Sequence, residues 1–304
     1  MTFRKIAALV AIITAWAGTG HSQELSFGTL STTQVQSWMS SDIGTAWSLG
    51  FRGKGATITV IDDFNSQNYL VGTLSGGWTS GTHGTMTYLQ SALVAPDAAF
   101  RIRDFRDTRS VALAKGFNVI NLSYGMFADT GYDVSNIRWG AREGSVINHA
   151  RAGNALVVKA AGNDSVAVGA ATIFGDQDYL ASALIGTRSA IFVGALNRNG
   201  TAEAPASMAW YSNTAGQDVR VQNQFLTVGV DSSAMNLAGT SFAAPIISGY
   251  GAILHSKFRS ATPTQIANRL LSTARTDTIM NYDPSVYGRG EASLSWSLAP
   301  ATIN

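Results

Sequence analysis

Near-continuous apolar runs rich in β-branched residues punctuate the chain at Ala56 to Ile61, Phe100 to Phe105, Asn118 to Ser123, Ala155 to Ala160 and Ile191 to Leu196. Strands buried on one face alternate apolar with polar, whereas these runs do not, so each predicts a strand covered on both faces. Segments of helical character lie between them, and helices are predicted at Asp42–Leu49, Ser110–Lys115, Gly144–Ala152, Phe242–Phe258 and Pro263–Ala274. The last has the clearest start signal, with Thr262 as N-cap and Pro263 in the first helical position. Strands alternating with helices predict an α/β fold, a doubly wound, mostly parallel sheet with helices on both faces. No repeat, charge block or low-complexity stretch divides residues 24 to 304, and the segment from Tyr287 to Pro300 reads as a tail packed against the domain. In open parallel sheets, sites gather at the carboxyl ends of strands, which singles out Asp62, Ser123 and Asn163.

The amino terminus has a different pattern. Arg4 and Lys5 precede an apolar stretch from Ile6 to Ala17 that is too short to span a bilayer, the layout of a secretory signal. Residues 1–22 are therefore expected to be a signal peptide and 23–304 the mature domain, secreted or periplasmic. Ala15-Trp16-Ala17 fits the small-x-small cleavage pattern, and small residues running on to Ser22 leave a later site open. Loss of Arg4 and Lys5 takes the basic residues from 21 to 19 against 19 acidic ones, so the mature chain is close to neutral and has no basic patch for nucleic acid. The absence of Cys excludes disulfides, a Cys nucleophile and Cys-ligated zinc.

Candidate chemistry starts with Ser241, in Gly239-Thr240-Ser241-Phe242-Ala243-Ala244-Pro245 ahead of the apolar helix pattern. At a helix N-terminus, free N–H groups and the dipole favour a developing oxyanion, although a Ser in this place is by itself more often only a cap. Of the four His residues, His21 lies in or beside the leader, and His149 falls in a helical segment where a surface or capping role is the default. His255 lies fourteen residues along the helix that Ser241 opens, roughly 21 Å away at 1.5 Å per residue. His83 remains, among the small residues of Gly81-Thr82-His83-Gly84-Thr85. Asp62 ends the run Ile58-Thr59-Val60-Ile61 and Asp63 follows at once; strand side chains alternate, so only one of the two can face the imidazole.

These segments resemble the subtilisin-like serine peptidases. Gly239-Thr240-Ser241-Phe242-Ala243-Ala244-Pro245-Ile246-Ile247-Ser248-Gly249 follows that family's serine motif, His83-Gly84-Thr85 resembles the start of its histidine motif, and Val60-Ile61-Asp62 resembles the end of its first catalytic strand. The order Asp, His, Ser also agrees. The resemblance extends over about residues 42 to 300. It implies a triad of Asp62, His83 and Ser241 and an oxyanion hole from Asn163 and the Ser241 N–H. It also implies a substrate strand held between Ser123, Tyr124, Gly125 and Ala160, Ala161, Gly162. The implied partners are polypeptide substrates, with no membrane span after signal cleavage, and a monomer is expected. The chemistry requires no cofactor; structural calcium is compatible with the family, but no Asp/Asn loop of ion-binding spacing supplies a ligand set.

The chain departs from the family pattern in two places. Asp63-Phe64 stand where Ser or Thr and then Gly usually follow the aspartate, and Met86-Thr87-Tyr88 where a second His, Val and Ala usually continue the histidine motif. These changes motivate an alternative, a catalytically impaired subtilisin fold that binds peptide or protein. The segment between the leader and Ile43 has no domain-like pattern, so folding is expected without a pro-domain or with help from another polypeptide. Tyr287-Gly288-Arg289-Gly290 resembles the tail of passenger domains in Gram-negative autotransporter subtilases.

Overall fold

A computed structural model describes residues 4–7 and 34–303. Six parallel strands form the central sheet: β1 (Ala56–Asp62), β2 (Ala99–Asp104), β3 (Phe117–Leu122), β4 (Leu156–Ala160), β5 (Ala190–Leu196) and β6 (Phe225–Gly229), in the order β6-β5-β4-β3-β1-β2. Every residue of β1, β3, β4, β5 and β6 is buried, as the unbroken apolar runs require. Alternate side chains still separate into two layers. Ile58, Val60, Val119 and Val158 enter one core cluster, while Ile61, Ile120, Leu122 and Val157 enter the other.

The principal helices are α1 (Ser41–Ser48), α2 (His83–Val94), α3 (Ala141–Ala152), α4 (Ala244–Lys257) and α5 (Pro263–Ser272). The first cluster holds residues of α1, α2, α4 and α5, and the second holds those of α3 and the short helix Tyr179–Leu184. The two-layered coat is thus the one predicted. For α5 the expected start is present: Thr262 accepts from Gln265 N and the Gln265 side chain accepts from Thr262 N, with Pro263 next. None of the described helices is long and apolar enough to cross a membrane.

Four expectations change. Ser110–Lys115 is not helical, because its backbone groups are claimed from outside: Arg103 donates to Ser110 O, Arg101 to Ala112 O, Ser145 Oγ accepts from Val111 N, and Asn118 Oδ1 accepts from Ala114 N. The segment predicted as one helix from Phe242 divides into a 3-10 turn, Thr240–Phe242, and α4, with Pro245 in its first turn where no N–H is needed. The helix predicted from Gly144 begins at Ala141, and β6 adds a strand beyond the five predicted. Residues 1–3 and 8–22 of the expected leader lie outside the described residues.

Beyond the main sheet, Tyr124–Asp129 pairs antiparallel with Asp176–Asp178 on one edge and with Arg4–Ala7 on the other, where Ile6 lies opposite Gly125 and Ala7 opposite Tyr124. The tail closes on β6: Thr227 N donates to Gly290 O, Ala292 N to Thr227 O, and Arg275 and Glu291 exchange backbone bonds. Glu291 is buried there, with one carboxylate oxygen accepting from Gly200 N–H. Burial pushes its pKa up to about 6. A raised folded-state pKa contributes stability that is complete below the unfolded value near 4.5 and is lost as pH rises through about 6. Glu291→Gln, which keeps the acceptor for Gly200, should therefore stabilise the protein by about 1–2 kcal/mol at pH 8 and leave it unchanged near pH 4. Denaturant titrations at the two pH values check this, and equal effects at both would contradict it.

Candidate active site

Asp62 is the last residue of β1, and its position is dictated by the alternation along that strand. Ile58 and Val60 face the layer of α2 and α4, so Asp62 does too, whereas Asp63 turns away. The Asp62 side chain has no exposed surface. Its Oδ1 accepts from Asp63 N at 2.7 Å and lies 2.7 Å from His83 Nδ1; its Oδ2 accepts from Thr87 Oγ1 at 3.0 Å. Asp63 instead closes a turn, accepting from Asn65 N and Ser66 N.

His83 occupies the first turn of α2, which Thr82 caps by accepting from Thr85 N. The helix start is pressed against the end of β1: Gly84 N donates to Asp63 O at 2.8 Å, and a Cβ on Gly84 would lie 2.6 Å from that oxygen. Gly84 is thus needed for its close approach. The imidazole Nε2 is buried and has no partner among the described residues. Burial opposes its protonation, but the Asp62 carboxylate, through charge and hydrogen bond, and Asp63 outweigh that cost and hold the His83 pKa above the ordinary imidazole value.

Ser241 lies in the 3-10 turn ahead of α4, and the adjacent Phe242 ring sits 5.8 Å from the His83 ring. The hydroxyl does not cap the helix. It donates to Ser123 O at 3.1 Å and makes no hydrogen bond to His83, while Ser123 Oγ donates to Ser241 O at 2.9 Å. Ser123 is held in turn by Asn121 Nδ2, and Asn121 Oδ1 accepts from Ser248 of α4, a buried chain from helix to the Ser241 segment.

Asn163 follows β4. Its Oδ1 accepts from Thr240 N at 2.8 Å and Thr240 Oγ1 at 2.9 Å, and Nδ2 makes no hydrogen bond among the described residues. The loop around it is clamped by Asn213, whose Nδ2 donates to Ala161 O and whose Oδ1 accepts from Asp164 N and Val166 N. Gly162, at φ +113°, leaves room for that amide, since a Cβ would lie 2.3 Å from it. Beneath the two segments expected to hold a substrate, Lys159 of β4 is buried and paired with Asp178 at 2.8 Å, and Asp178 also accepts from Met126 N, Leu180 N and Ala181 N.

The structure therefore brings Asp62, His83 and the Ser241 segment together, with Asn163 bonded to the residue before Ser241. The remaining described histidines lie elsewhere: His149 bonds Val111 O, and His255 stacks on Phe117 at 4.5 Å. Sequence reasoning misses Thr87, Asn121, Asn213, Ser248 and the Lys159–Asp178 pair. Thr87 stands four residues after His83, a spacing that places the two on one face only once the segment is known to be a helix. Among the described residues, no group of three or more His, Asp or Glu side chains is placed to hold a metal ion.

The sequence profile of the Subtilase family, Peptidase S8, matches residues 97–290, more than half of the chain. The chain belongs to this family. The matched region contains Ser123, Asn163 and Ser241 and begins after Asp62 and His83. Mycosin-5 of Mycobacterium tuberculosis (strain ATCC 25618 / H37Rv) is 40% identical over 92 residues, a match covering 27% of this chain and 16% of that relative's length. Among solved structures, a protease of Pseudoalteromonas arctica PAMC 21717 is 19% identical with a TM-score of 0.54, over 86% of this chain and 94% of its own. The MycP3 protease from the type VII (ESX-3) secretion system is 18% identical with a TM-score of 0.54, over 91% and 92%. At such identities the likeness is one of fold.

The opposed directions of the two neighbouring carboxylates make a direct test. Asp62→Asn should cost far more activity than Asp63→Asn, because only Asp62 touches the imidazole. Rates of labelling by a fluorophosphonate compare them, and equal losses would show that contact with the ring is not what matters.

Proposed function

We propose that this subtilase is a serine endopeptidase that hydrolyses peptide bonds through an acyl-enzyme, with Ser241 as nucleophile, His83 as general base and Asp62 as the group that orients the imidazole. The observation that carries this reading is the Asp62–His83 pair at 2.7 Å with the opposite ring nitrogen, Nε2, buried, unpartnered among the described residues and beside the Ser241 segment. Rotation about the Ser241 side chain moves the hydroxyl from Ser123 O toward Nε2. Oγ then attacks the peptide carbonyl as its proton passes to Nε2, and the imidazolium is balanced by Asp62. The oxyanion is received by Asn163 Nδ2 and by the Ser241 N–H, which lies in the first turn where no preceding turn accepts it. Collapse breaks the C–N bond and returns the proton from His83 to the leaving amine; water repeats the sequence to free Ser241 and the acid product.

The substrate backbone is read as an added strand on Ser123 to Gly125, facing Ala160 to Gly162. Support comes from the pairing of Arg4–Ala7 with this same edge, antiparallel and in register with Tyr124 and Gly125. Export belongs to the proposal: removal of the leader as a signal peptide would free that edge in a secreted or periplasmic enzyme. The alternative of a peptide-binding subtilase with impaired chemistry draws on one observation, the Ser241 hydroxyl bonded to Ser123 O rather than to His83.

Labelling of the purified protein with a fluorophosphonate, followed by mass-spectrometric mapping, separates the two. The peptidase reading expects modification of Ser241 and none in Ser241→Ala; an unlabelled wild type would favour the binding protein. Asn163→Ala should lower kcat on casein by about 10²–10³ with little change in KM, a magnitude taken from subtilisin for a single oxyanion donor. A variant that melts lower yet turns over normally would make Asn163 a structural residue.

A further inference from the structure

Both oxygens of the Asp62 carboxylate are engaged by one helix. His83 and Thr87 stand four residues apart on α2, hence on one face, and reach Oδ1 at 2.7 Å and Oδ2 at 3.0 Å. Thr87 has no exposed surface, and among the described residues its hydroxyl is the only donor to Oδ2. The same hydroxyl lies 3.1 Å from Gly84 O, the carbonyl of the turn that presses α2 against β1. It lies where the sequence departs from the family pattern after the histidine motif, as Asp63 does after the aspartate.

We infer that Thr87 is a positioning residue for the proposed reaction: its hydroxyl fixes the rotation of the Asp62 carboxylate so that Oδ1 stays on His83 Nδ1 throughout proton transfer. Thr87 touches no substrate. Without it, Oδ2 is a buried charged oxygen with no donor, and the carboxylate is free to turn about its Cβ–Cγ bond. The inference rests on the triad reading, and the groups that bear on it electrostatically are few. Asp62 faces the imidazole from the end of β1, and Asp63, turned away, acts on it through charge alone; Asp104, opposite Asp62 in the register of β2, accepts from Phe64 N; the Phe242 ring brings no charge.

Three forms, wild type, Thr87→Val and Thr87→Ser, are compared by the concentration dependence of labelling with a rhodamine-linked fluorophosphonate from pH 5 to 9. The His83 titration is followed on the same proteins by NMR, and melting temperatures are recorded alongside. Thr87→Val, equal in shape and lacking the donor, should lower the saturating labelling rate by about 10- to 100-fold, the scale of a hydrogen bond to a charged group. Its half-saturating probe concentration should stay unchanged, and both the acid limb and the His83 titration should move to lower pH, because a carboxylate that turns away from Nδ1 supports the imidazolium less. Thr87→Ser should restore all three readouts. A Thr87→Val protein with wild-type rate and titration, whatever its melting temperature, overturns the inference, as does a Thr87→Ser protein that is equally impaired. A wild type that takes no probe defeats the peptidase reading, and the His83 titration then decides alone whether Thr87 sets the state of the pair.

Discussion

A carboxylate removed from water has to be solvated by the protein around it, and the placement of the site follows from how this is done at Asp62. Its anionic oxygens are met by the Asp63 N–H, the Thr87 hydroxyl and the His83 ring, three donors from two elements. Of these only His83 can become a cation. The donors converge only if the start of α2 sits hard against the end of β1, which the Gly84 contact with Asp63 O permits and the apolar packing of α2 against α4 enforces. An ion isolated in such surroundings costs several kcal/mol, so the geometry is not one that the chain can relax away from cheaply.

A second constraint shapes the opposite wall. The loop after β4 must present Asn163 while its backbone turns sharply at Gly162, and the Asn213 side chain satisfies the peptide groups that this turn leaves free. The Thr240 N–H and hydroxyl then hold the Asn163 amide by its oxygen, which leaves its nitrogen as the free end. Below, Lys159 and Asp178 tie β4 to the strand Tyr124–Asp129 through a buried ion pair, the kind whose loss of one partner costs about 3–5 kcal/mol. The two segments on either side of the expected substrate strand are thereby joined to each other and not only to the sheet.

The strands are legible because burial on both faces leaves a composition that depends little on neighbours: five of the six main-sheet strands are recognisable as apolar runs, within one residue of their observed ends. Helices are legible where one end carries a cap, as at Thr262, or where only one face is buried. In α2, residues on nearly every side are buried, from His83 and Met86 to Leu93 and Val94, so no period of 3.6 marks it. Ser110–Lys115 shows the converse, since its composition suits a helix while its peptide groups are taken by arginines of β2 and by Ser145 and Asn118. Asp62 stands out as a charge ending an apolar run, His83 as one of four histidines, and Ser241 by the small residues around it ahead of an apolar helix pattern. Thr87, Asn121 and Ser248 do not, because a hydroxyl or amide in an apolar run reads as filler until its partner is known.

That difference has a physical origin. A residue that acts on substrate is constrained by its own chemistry, so its type and its neighbours are unusual wherever the fold places it. A residue that acts by holding another is constrained by a distance across the fold: Ser248 to Asn121 spans 127 positions, and Asn213 to Ala161 spans 52. Such pairs leave no periodic trace, yet each fills a buried hydrogen-bonding need that would otherwise cost about 1–3 kcal/mol. The departures that set this chain apart from its family fall in the same class. Asp63 accepts two backbone donors of a turn and Thr87 supplies a donor to Asp62, so both substituted positions serve the carboxylate or the loop beside it and leave the His83 ring its open nitrogen.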